Sequence, residues 1–180
     1  MLEIETKVLE IDVKVLKEKL KSLDAKEIQN TRLTVDWYSP PGVGKGKYPW
    51  YLRIRTDTDG KSEVTLKSLL KITGNTKQAE EINIDVSDAM LTEKLFEKIG
   101  LEHYAHQEKD RTSWLYKDWR FDLDKYPGMP AYLEIEGKSY NHVQEAIKLL
   151  GLTDRKSVGE GERNLIDKEY KLNWSDMRFK

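Results

Sequence analysis

The stretch LEIETKV, residues 2–8, has the pattern that decides the fold. In an extended chain, successive side chains point to opposite faces, so Leu2, Ile4 and Val8 share one face. The charged side chains on the other face are Glu3, Glu5 and Lys7. A strand whose polar side is in water has this alternation. A strand whose charged side faces an enclosed ligand has the same alternation. The remaining strands distinguish a solvated polar face from a ligand-binding one.

Composition favours one domain, and we expect a single domain over residues 1–180. Charged residues make up 35% of the chain, but the 31 basic and 32 acidic residues nearly cancel, so we expect no nucleic-acid partner. The absence of cysteine excludes disulfides and thiolate metal sites. Because no apolar run approaches the length of a membrane span and Met1 leads directly into a strand-like segment, we expect a cytoplasmic protein with no membrane association.

Three segments have the 3–4 periodicity of amphipathic helices. Their predicted N-caps are Asp12, Ser87 and Asn141, and the second and third helices are expected to end at Gly100 and Gly151. The predicted inward side chains are, in the same order, Val13, Leu16, Leu20 and Leu23; Leu91, Leu95 and Ile99; and Val143, Ile147 and Leu150.

Strand patterns fill most of the remaining sequence. Besides the first strand, they cover residues 31–38, 50–57, 62–69, 79–86, 107–117, 118–125 and 131–137. The sequence DTDG at 57–60 predicts a hairpin turn. Strands joined mainly by hairpins predict an α+β fold, an eight-stranded antiparallel closed β-barrel with helices packed outside. For residues 157–180 we expect a flexible joint followed by a short helix near one mouth of the barrel.

The alternation of the first strand recurs in five others, in YLRIRTD, EVTLKS, EKDRTSW, RFDLDKY and AYLEIEG. For any single strand, a solvated polar face is the ordinary interpretation. Across the set, however, the alternate positions are largely ionisable rather than occupied by Thr, Ser or Gln. This favours an inverted arrangement, in which the apolar faces point outward beneath the helices and the charged faces line a wet tunnel.

A tunnel lined by both signs of charge suits phosphate chemistry. Arg and Lys bind phosphate oxygens through charge-assisted hydrogen bonds. Carboxylates would repel the same anion unless metal ions stood between them, and oxygen ligands without thiolates favour Mg²⁺ or Mn²⁺. Phosphoryl transfer uses these components.

The order of these motifs resembles the CYTH or triphosphate tunnel metalloenzyme family, which includes proteins like class IV adenylyl cyclase, tripolyphosphatase and thiamine triphosphatase. The Glu-x-Glu-x-Lys signature matches EIETK at 3–7. Further matches follow in order: DWY, LRIR, TLK, EEI, KDR, LD, YLEIEG and the closing RKS at 155–157. A lone Glu-x-Glu-x-Lys is a weak signal, whereas the ordered series over residues 1–157 is specific.

The resemblance implies a tunnel that binds a triphosphate with a divalent metal. The implied phosphate ligands are Lys7, Arg53, Arg55, Lys67, Lys109 and Arg111, and Lys7, Arg55, Lys67 and Arg111 among them are also assigned to catalysis. The implied ligands of Mg²⁺ or Mn²⁺ are Glu3, Glu5, Asp124, Glu134 and Glu136. Asp122 shares a strand face with Asp124 but fits the motif less well.

Three functions stay open at this point. The leading one is metal-dependent hydrolysis of inorganic triphosphate, ATP or thiamine triphosphate. The second is a class IV adenylyl cyclase that converts ATP to cyclic AMP and pyrophosphate. The third is a triphosphate-binding or nucleotide-binding module without turnover. The sequence does not distinguish a monomer from a homodimer.

Other motifs carry less weight. GVGKGK at 42–47 has the wrong spacing for a Walker A loop, and we interpret it as a mobile basic loop at one mouth of the barrel. His103 and His106 lack the spacing and the companion ligands of a zinc site. The aromatic residues Trp37, Tyr38, Trp50 and Tyr51 could stack on an organic group, but packing is the more common role of strand aromatics.

Overall fold

A computed structural model describes residues 2–42 and 50–180, so the GVGKGK loop, apart from Gly42, lies outside the described residues. The elements are, in chain order, β1 (Leu2–Val8), α1 (Val13–Ser22), β2 (Lys26–Ser39), β3 (Trp50–Thr56), β4 (Ser62–Thr73), β5 (Thr76–Val86), α2 (Ala89–Lys98), β6 (Glu102–Tyr116), β7 (Trp119–Lys125), β8 (Tyr132–Glu136), α3 (Tyr140–Leu149), β9 (Ser157–Val158), α4 (Glu162–Asn164), a π-helical turn (Leu165–Glu169) and β10 (Asp176–Met177).

Eight antiparallel strands pair in a closed ring, in the order β6-β2-β3-β4-β5-β1-β8-β7, and β7 pairs again with β6. The short β9 adds to β1, and β10 lies parallel to β6. The predicted α+β fold with an eight-stranded antiparallel closed sheet is therefore confirmed. Strands β2 and β6 begin earlier than predicted, because they pair from Lys26 opposite Leu115 to Ser39 opposite Glu102. Backbone hydrogen bonds between the two strands therefore continue beyond the residues in which apolar and polar side chains alternate.

Helices α1 and α3 cover the outside of the ring. Asp12 caps α1 as predicted, accepting hydrogen bonds from the N–H groups of Lys14 at 3.0 Å and Val15 at 3.1 Å. The cap of α3 is Ser139 rather than Asn141, because the Ser139 hydroxyl accepts from the N–H of His142 at 3.2 Å. Both helices pack on apolar side chains of β1, β7 and β8, namely Val8, Phe121, Leu123, Leu133 and Ile135. The apolar faces of these strands point outward, as the inverted arrangement requires.

The inward faces of the three helices follow the prediction only in part. Leu16 and Leu20 of α1 are buried, as are Val143, Ile147 and Leu150 at α3, whereas Val13 is exposed. The prediction for α2 is wrong, because its apolar residues Leu91, Leu95 and Ile99 are all exposed.

The rotation of α2 is set by an aromatic contact. Phe96 is buried, and its ring lies edge-on to Tyr38 with the centroids 5.1 Å apart. Adjacent helical residues are about 100° apart around the axis. Burial of Phe96 therefore turns the neighbouring Leu95 away from the sheet. The helix also begins one residue later than predicted, since Asp88 rather than Ser87 accepts from the N–H of Leu91, at 2.9 Å.

The C-terminal segment folds against the end of the ring where β2 ends and β3 begins. Its apolar side chains Leu165, Ile166, Trp174 and Met177 share a buried cluster with residues of β2, β6 and β8, among them Trp37, Ala105 and Tyr132. The segment contains the short helix α4, which begins at Glu162. No helix in the described part of the chain has the length and apolarity needed to cross a membrane.

Candidate functional site

A cavity of about 680 Å³ lies inside the ring of strands. Aromatic residues including Tyr51 and Trp174 form its wall at one end, and Lys117 and Asp118 of the β6–β7 hairpin form it at the other. Between the two ends the wall is charged. The charged faces identified in the sequence therefore line an enclosed space rather than an outer surface.

Strand register brings the charged rows into contact. Glu5 on β1 lies opposite Lys77 on β5 and opposite Glu136 on β8, and Lys7 lies opposite Glu134. The exposed fraction of Glu5 is 1% and that of Lys7 is 2%. Charges buried this deeply need partners of opposite sign, and the structure supplies them.

Glu5 accepts ion pairs from three lysines that lie on three strands. The Nζ atoms of Lys7, Lys67 and Lys77 are 2.7, 3.1 and 2.5 Å from its carboxylate oxygens. Burial alone would raise the pKa of Glu5, but the three ammonium groups lower it well below its ordinary value. The Glu5 carboxylate is therefore ionised, and it fixes the three lysine ammonium groups at one side of the cavity.

The neighbouring carboxylates of this side have divergent pKa values. Lys67 also contacts Glu3, and it lies 3.1 Å from Glu81. Burial, with Glu5 close by, raises the pKa of Glu3 to about 9. Burial acts in the same direction on Glu81, but Lys67 and Arg53 lower the pKa of Glu81 to about 2. The Lys67 ammonium is thus shared by Glu3, Glu5 and Glu81. Because the pKa of Glu3 is about 9, Glu3 retains a proton at neutral pH.

A second buried network lies on β6, β7 and β8. The guanidinium of Arg111 donates two hydrogen bonds to Asp124, both at 2.6 Å, and one to Asp122 at 2.7 Å. Lys109 donates to Asp124 at 2.8 Å, and the Tyr132 hydroxyl does so at 3.1 Å. Although burial works against ionisation, Arg111 and Lys109 lower the pKa of Asp124. Asp124 therefore acts as the counter-ion of the two basic residues in this structure.

A carboxylate from the C-terminal segment enters the same network. Glu162 accepts from the Lys109 ammonium at 2.7 Å and from the Tyr132 hydroxyl at 2.9 Å. Burial would raise its pKa, but Lys109, Lys7 and Arg53 lower it well below the ordinary value. The segment thus places an anion among basic residues that the sequence assigns to phosphate binding.

Three carboxylates, one of them the Asp122 that accepts from Arg111, form an acidic triad. Oxygen atoms of Asp122, Glu134 and Glu136 all lie within 4.8 Å of one another. Burial, followed by the charges of Asp122 and Glu134, raises the pKa of Glu136 to about 7. A divalent cation bound among the three oxygens would relieve this repulsion, and an all-oxygen donor set suits Mg²⁺ or Mn²⁺. The acidic triad therefore fits such an ion.

The structure brings most of the predicted site residues to the cavity wall. On the wall are Lys7, Arg53, Arg55, Lys67 and Arg111 from the predicted phosphate ligands and Glu3, Glu5, Glu134 and Glu136 from the predicted metal ligands. Lys109 and Asp124 form a buried ion pair of 2.8 Å behind it. Arg55 pairs with Glu63 at 2.6 Å. Asp122, rather than Asp124, completes the cluster with Glu134 and Glu136.

Several charged residues of the site were not predicted from the sequence. Lys77 and Glu81 both line the cavity, and their even spacing along β5 could have identified them. Glu162 also lines it. No periodicity marks Glu162, because it follows a glycine-rich connection rather than a regular strand.

Comparisons with known proteins agree with this fold. The model of the CYTH domain family matches residues 1–168. A Methanocaldococcus jannaschii protein named "Putative adenylate cyclase" is 29% identical over 172 residues, which cover 94% of this chain and 97% of the relative.

Solved structures share the architecture at low sequence identity. A conserved hypothetical protein from Pyrococcus furiosus is 20% identical with a TM-score of 0.75, and the match covers 91% of this chain and 99% of that one. A Hippeastrum protein described as a "putative adenylyl cyclase" with "a dominant" triphosphatase activity is 14% identical with a TM-score of 0.69, covering 95% and 97%. The match to the family model over nearly the whole chain shows that the protein belongs to the CYTH domain family.

Proposed function

We propose that this chain is a divalent-metal-dependent phosphohydrolase that acts on an inorganic or organic triphosphate bound in the cavity. The observation that carries the proposal is the placement of buried basic side chains and the acidic triad on one cavity wall. A polyphosphate needs several fixed positive charges, and its metal needs oxygen ligands close by. The Hippeastrum protein, which shares the fold, is described as having triphosphatase activity.

The basic residues bind and polarise the phosphate chain. Arg53, Arg55 and Arg111 carry guanidinium groups, which match two phosphate oxygens at once, and Lys7 and Lys67 add compact positive charges. Water attacks the terminal phosphorus, and the bridging P–O bond breaks to give orthophosphate and a diphosphate. Fixed cations that are already held in place by buried carboxylates stabilise the charge that develops on the phosphoryl oxygens.

Mg²⁺ or Mn²⁺ would be held by the acidic triad, and when bound it would supply charge neutralisation and a more acidic bound water. In this ligand set, Asp122 replaces Asp124, which the resemblance implied as a metal ligand. Glu3 and Glu5 remain predicted metal ligands, and their lysine partners would have to exchange the carboxylates for phosphate oxygens.

An adenylyl cyclase is the second candidate, because the Methanocaldococcus jannaschii relative bears that name. In that reaction the ribose 3′-oxygen attacks the α-phosphorus, and pyrophosphate leaves as cyclic AMP forms. The same basic residues would bind the triphosphate in a different register along the cavity. We expect the enzyme to be cytoplasmic and to be a monomer or a homodimer.

Product analysis with three substrates tests the proposal. Inorganic triphosphate, ATP and thiamine triphosphate are incubated with Mg²⁺, Mn²⁺ or EDTA, and orthophosphate, pyrophosphate and cyclic AMP are separated. We expect orthophosphate that disappears in EDTA and falls at least tenfold in Arg53→Ala, while Arg32→Ala, which removes an exposed ion pair with Asp110, retains full activity. Cyclic AMP with pyrophosphate would establish the cyclase instead. Triphosphate binding without any product would establish a binding module.

A further inference from the structure

An apolar region of the outer surface of the ring is exposed to solvent, on β5 and on one flank of α2. Its side chains range from 49% exposed for Ile82 to 65% exposed for Ile99. Contiguous apolar surface of this kind marks a site of contact with another molecule. We define the apolar face as these five residues: Ile82 and Ile84 of β5, Leu91 and Leu95 of α2, and Ile99 at the C-terminal end of α2.

The two parts of the apolar face lie side by side. Glu93, which accepts a hydrogen bond from the Tyr38 hydroxyl, is on the flank of α2 that faces β2. At about 100° per residue, the α2 residues of the apolar face fall on the opposite flank. That flank faces β4 and β5, which follow β2 and β3 in the ring. Val64 of β4 connects the two parts, because it packs against the cluster of Phe96 and lies opposite Ile84 in register.

The second half of β5 leaves this region open. Strand β1 pairs with β5 only as far as Leu2, which lies opposite Glu80. Beyond that pair, β5 continues to Val86 with β4 as its strand neighbour in the described part of the chain. Helices α1 and α3 cover β1, β7 and β8 instead. A second molecule can therefore reach the apolar face without displacing an element of the fold.

The charges that border the apolar face are complementary to each other. Lys98 is exposed three residues after Leu95, on the same flank of α2. Glu80 is exposed two residues before Ile82, on the same face of β5. If α2 of one copy packs on β5 of another, a cation meets an anion, and two-fold symmetry makes the contact twice. Nucleic acids and anionic membranes instead select surfaces of positive charge.

The size of the apolar face suits a small symmetric interface. At about 30 Å² per aliphatic carbon, five side chains that are half exposed or more present roughly 350 Å² of apolar surface. An interface of standard size buries about 800 Å² per partner, of which about 60% is apolar. The apolar face thus supplies most of the apolar area that one partner contributes, and we expect an affinity in the micromolar range.

We propose that the apolar face is the interface of a symmetric homodimer, in which the α2 flank of each copy packs against the partner's Ile82 and Ile84. Lys98 then lies near the partner's Glu80. The charged cavity lies on the inner side of the strands, so this inference is independent of the proposed function.

Sedimentation velocity of the full chain tests the proposal. Between about 1 and 100 µM, we expect wild type to change from monomer to dimer. Leu91→Glu and Ile84→Glu each place an unpaired charge in the interface and should raise the dimer dissociation constant about tenfold or more. Met90→Glu is the matched control, because Met90 is 71% exposed on α2 but points about 100° away from Leu91. Its dissociation constant should match that of wild type.

Charge reversal tests which surfaces meet. Lys98→Glu and Glu80→Lys should each raise the dissociation constant about threefold or more, and the double variant should return to within about twofold of wild type. Urea denaturation at about 1 µM, where the copies are separate, shows whether each variant folds. The proposal is wrong if wild type stays monomeric at 100 µM. It is also wrong if Met90→Glu weakens the dimer as much as Leu91→Glu does, or if the double charge reversal restores nothing.

Discussion

Glu162 and Lys109 are 53 positions apart in the chain, yet the Glu162 carboxylate accepts a hydrogen bond of 2.7 Å from the Lys109 ammonium inside the ring. A carboxylate and a phosphoryl group are recognised by the same donors. Glu162 therefore occupies a position in which a substrate phosphate would compete with it. The positive charge of Lys109 is already shared with Asp124, so removal of Glu162 would not leave Lys109 unpaired.

Glu162→Gln should therefore strengthen substrate binding. The amide keeps the shape of the side chain but removes the negative charge that competes for Lys109, Lys7 and Arg53. We expect the KM for the hydrolysed triphosphate to fall about three- to tenfold, with a smaller change in kcat. Steady-state kinetics at fixed Mg²⁺ measure both constants.

Glu160→Gln controls for the loss of one negative charge from the same segment, because Glu160 is exposed. Its KM should match that of wild type. A raised KM in Glu162→Gln would contradict the competition and would instead indicate that Glu162 helps to bind the substrate or its metal.

Arg111 should be the most important single residue for stability within the site. It pairs with Asp122, Asp124 and Glu134, and all four side chains are buried. Because Arg111→Ala leaves buried carboxylates without their partner, we expect a loss of about 3–5 kcal/mol in the free energy of unfolding. Urea denaturation without metal measures the loss.

Arg32→Ala is the matched control, since it removes an ion pair with Asp110 in which the side chains are 44% and 47% exposed. Exposed pairs of this kind contribute about 1 kcal/mol or less. Equal losses in the two variants would show that the carboxylates around Arg111 find other partners.

The sequence predicted best what depends on local periodicity. The alternation in β1 assigned Glu5 and Lys7 to one face, and a shift of one residue would have reversed every side chain. The same reasoning placed Asp122 and Asp124 on one face of β7. It could not decide which of the two joins Glu134 and Glu136, because strand register sets that choice: Asp122 lies opposite Glu134.

Features that depend on distant contacts were not predictable. The order of apolar residues in α2 is compatible with more than one rotation, and the contact of Phe96 with Tyr38 selects one. The position of Glu162 depends on how the C-terminal segment packs against Trp37 and Ala105. Neither contact leaves a local signal in the sequence.

The rotation of α2 gives a direct test. Phe96→Ala should lower the free energy of unfolding by about 3–4 kcal/mol, because it removes a buried ring. Leu95→Ala should cost less than about 1 kcal/mol, since Leu95 is 58% exposed. Urea denaturation of both variants measures the difference, and a larger loss for Leu95→Ala would restore the rotation that the sequence predicts.

Stability in the absence of metal should depend on pH through Glu136. Its pKa is raised from the ordinary value of 4.5 to about 7. Between these values the folded state keeps a proton that the unfolded state releases, so the free energy of unfolding falls as pH rises. At pH 8 the loss attributable to this carboxyl is up to about 3 kcal/mol. Glu136→Gln should remove that part of the pH dependence, measured by urea denaturation from pH 4.5 to 8.

Divalent metal should act on wild type in the opposite direction, because a cation bound by the acidic triad favours the ionised form of Glu136. Added Mg²⁺ should therefore stabilise wild type more at pH 8 than at pH 5, and it should stabilise Glu136→Gln less at both. Glu102→Gln, an exposed carboxylate at the start of β6, should behave like wild type. Parallel pH profiles for wild type and Glu136→Gln would show that neighbouring cations, rather than a retained proton, neutralise Glu136 in the folded chain.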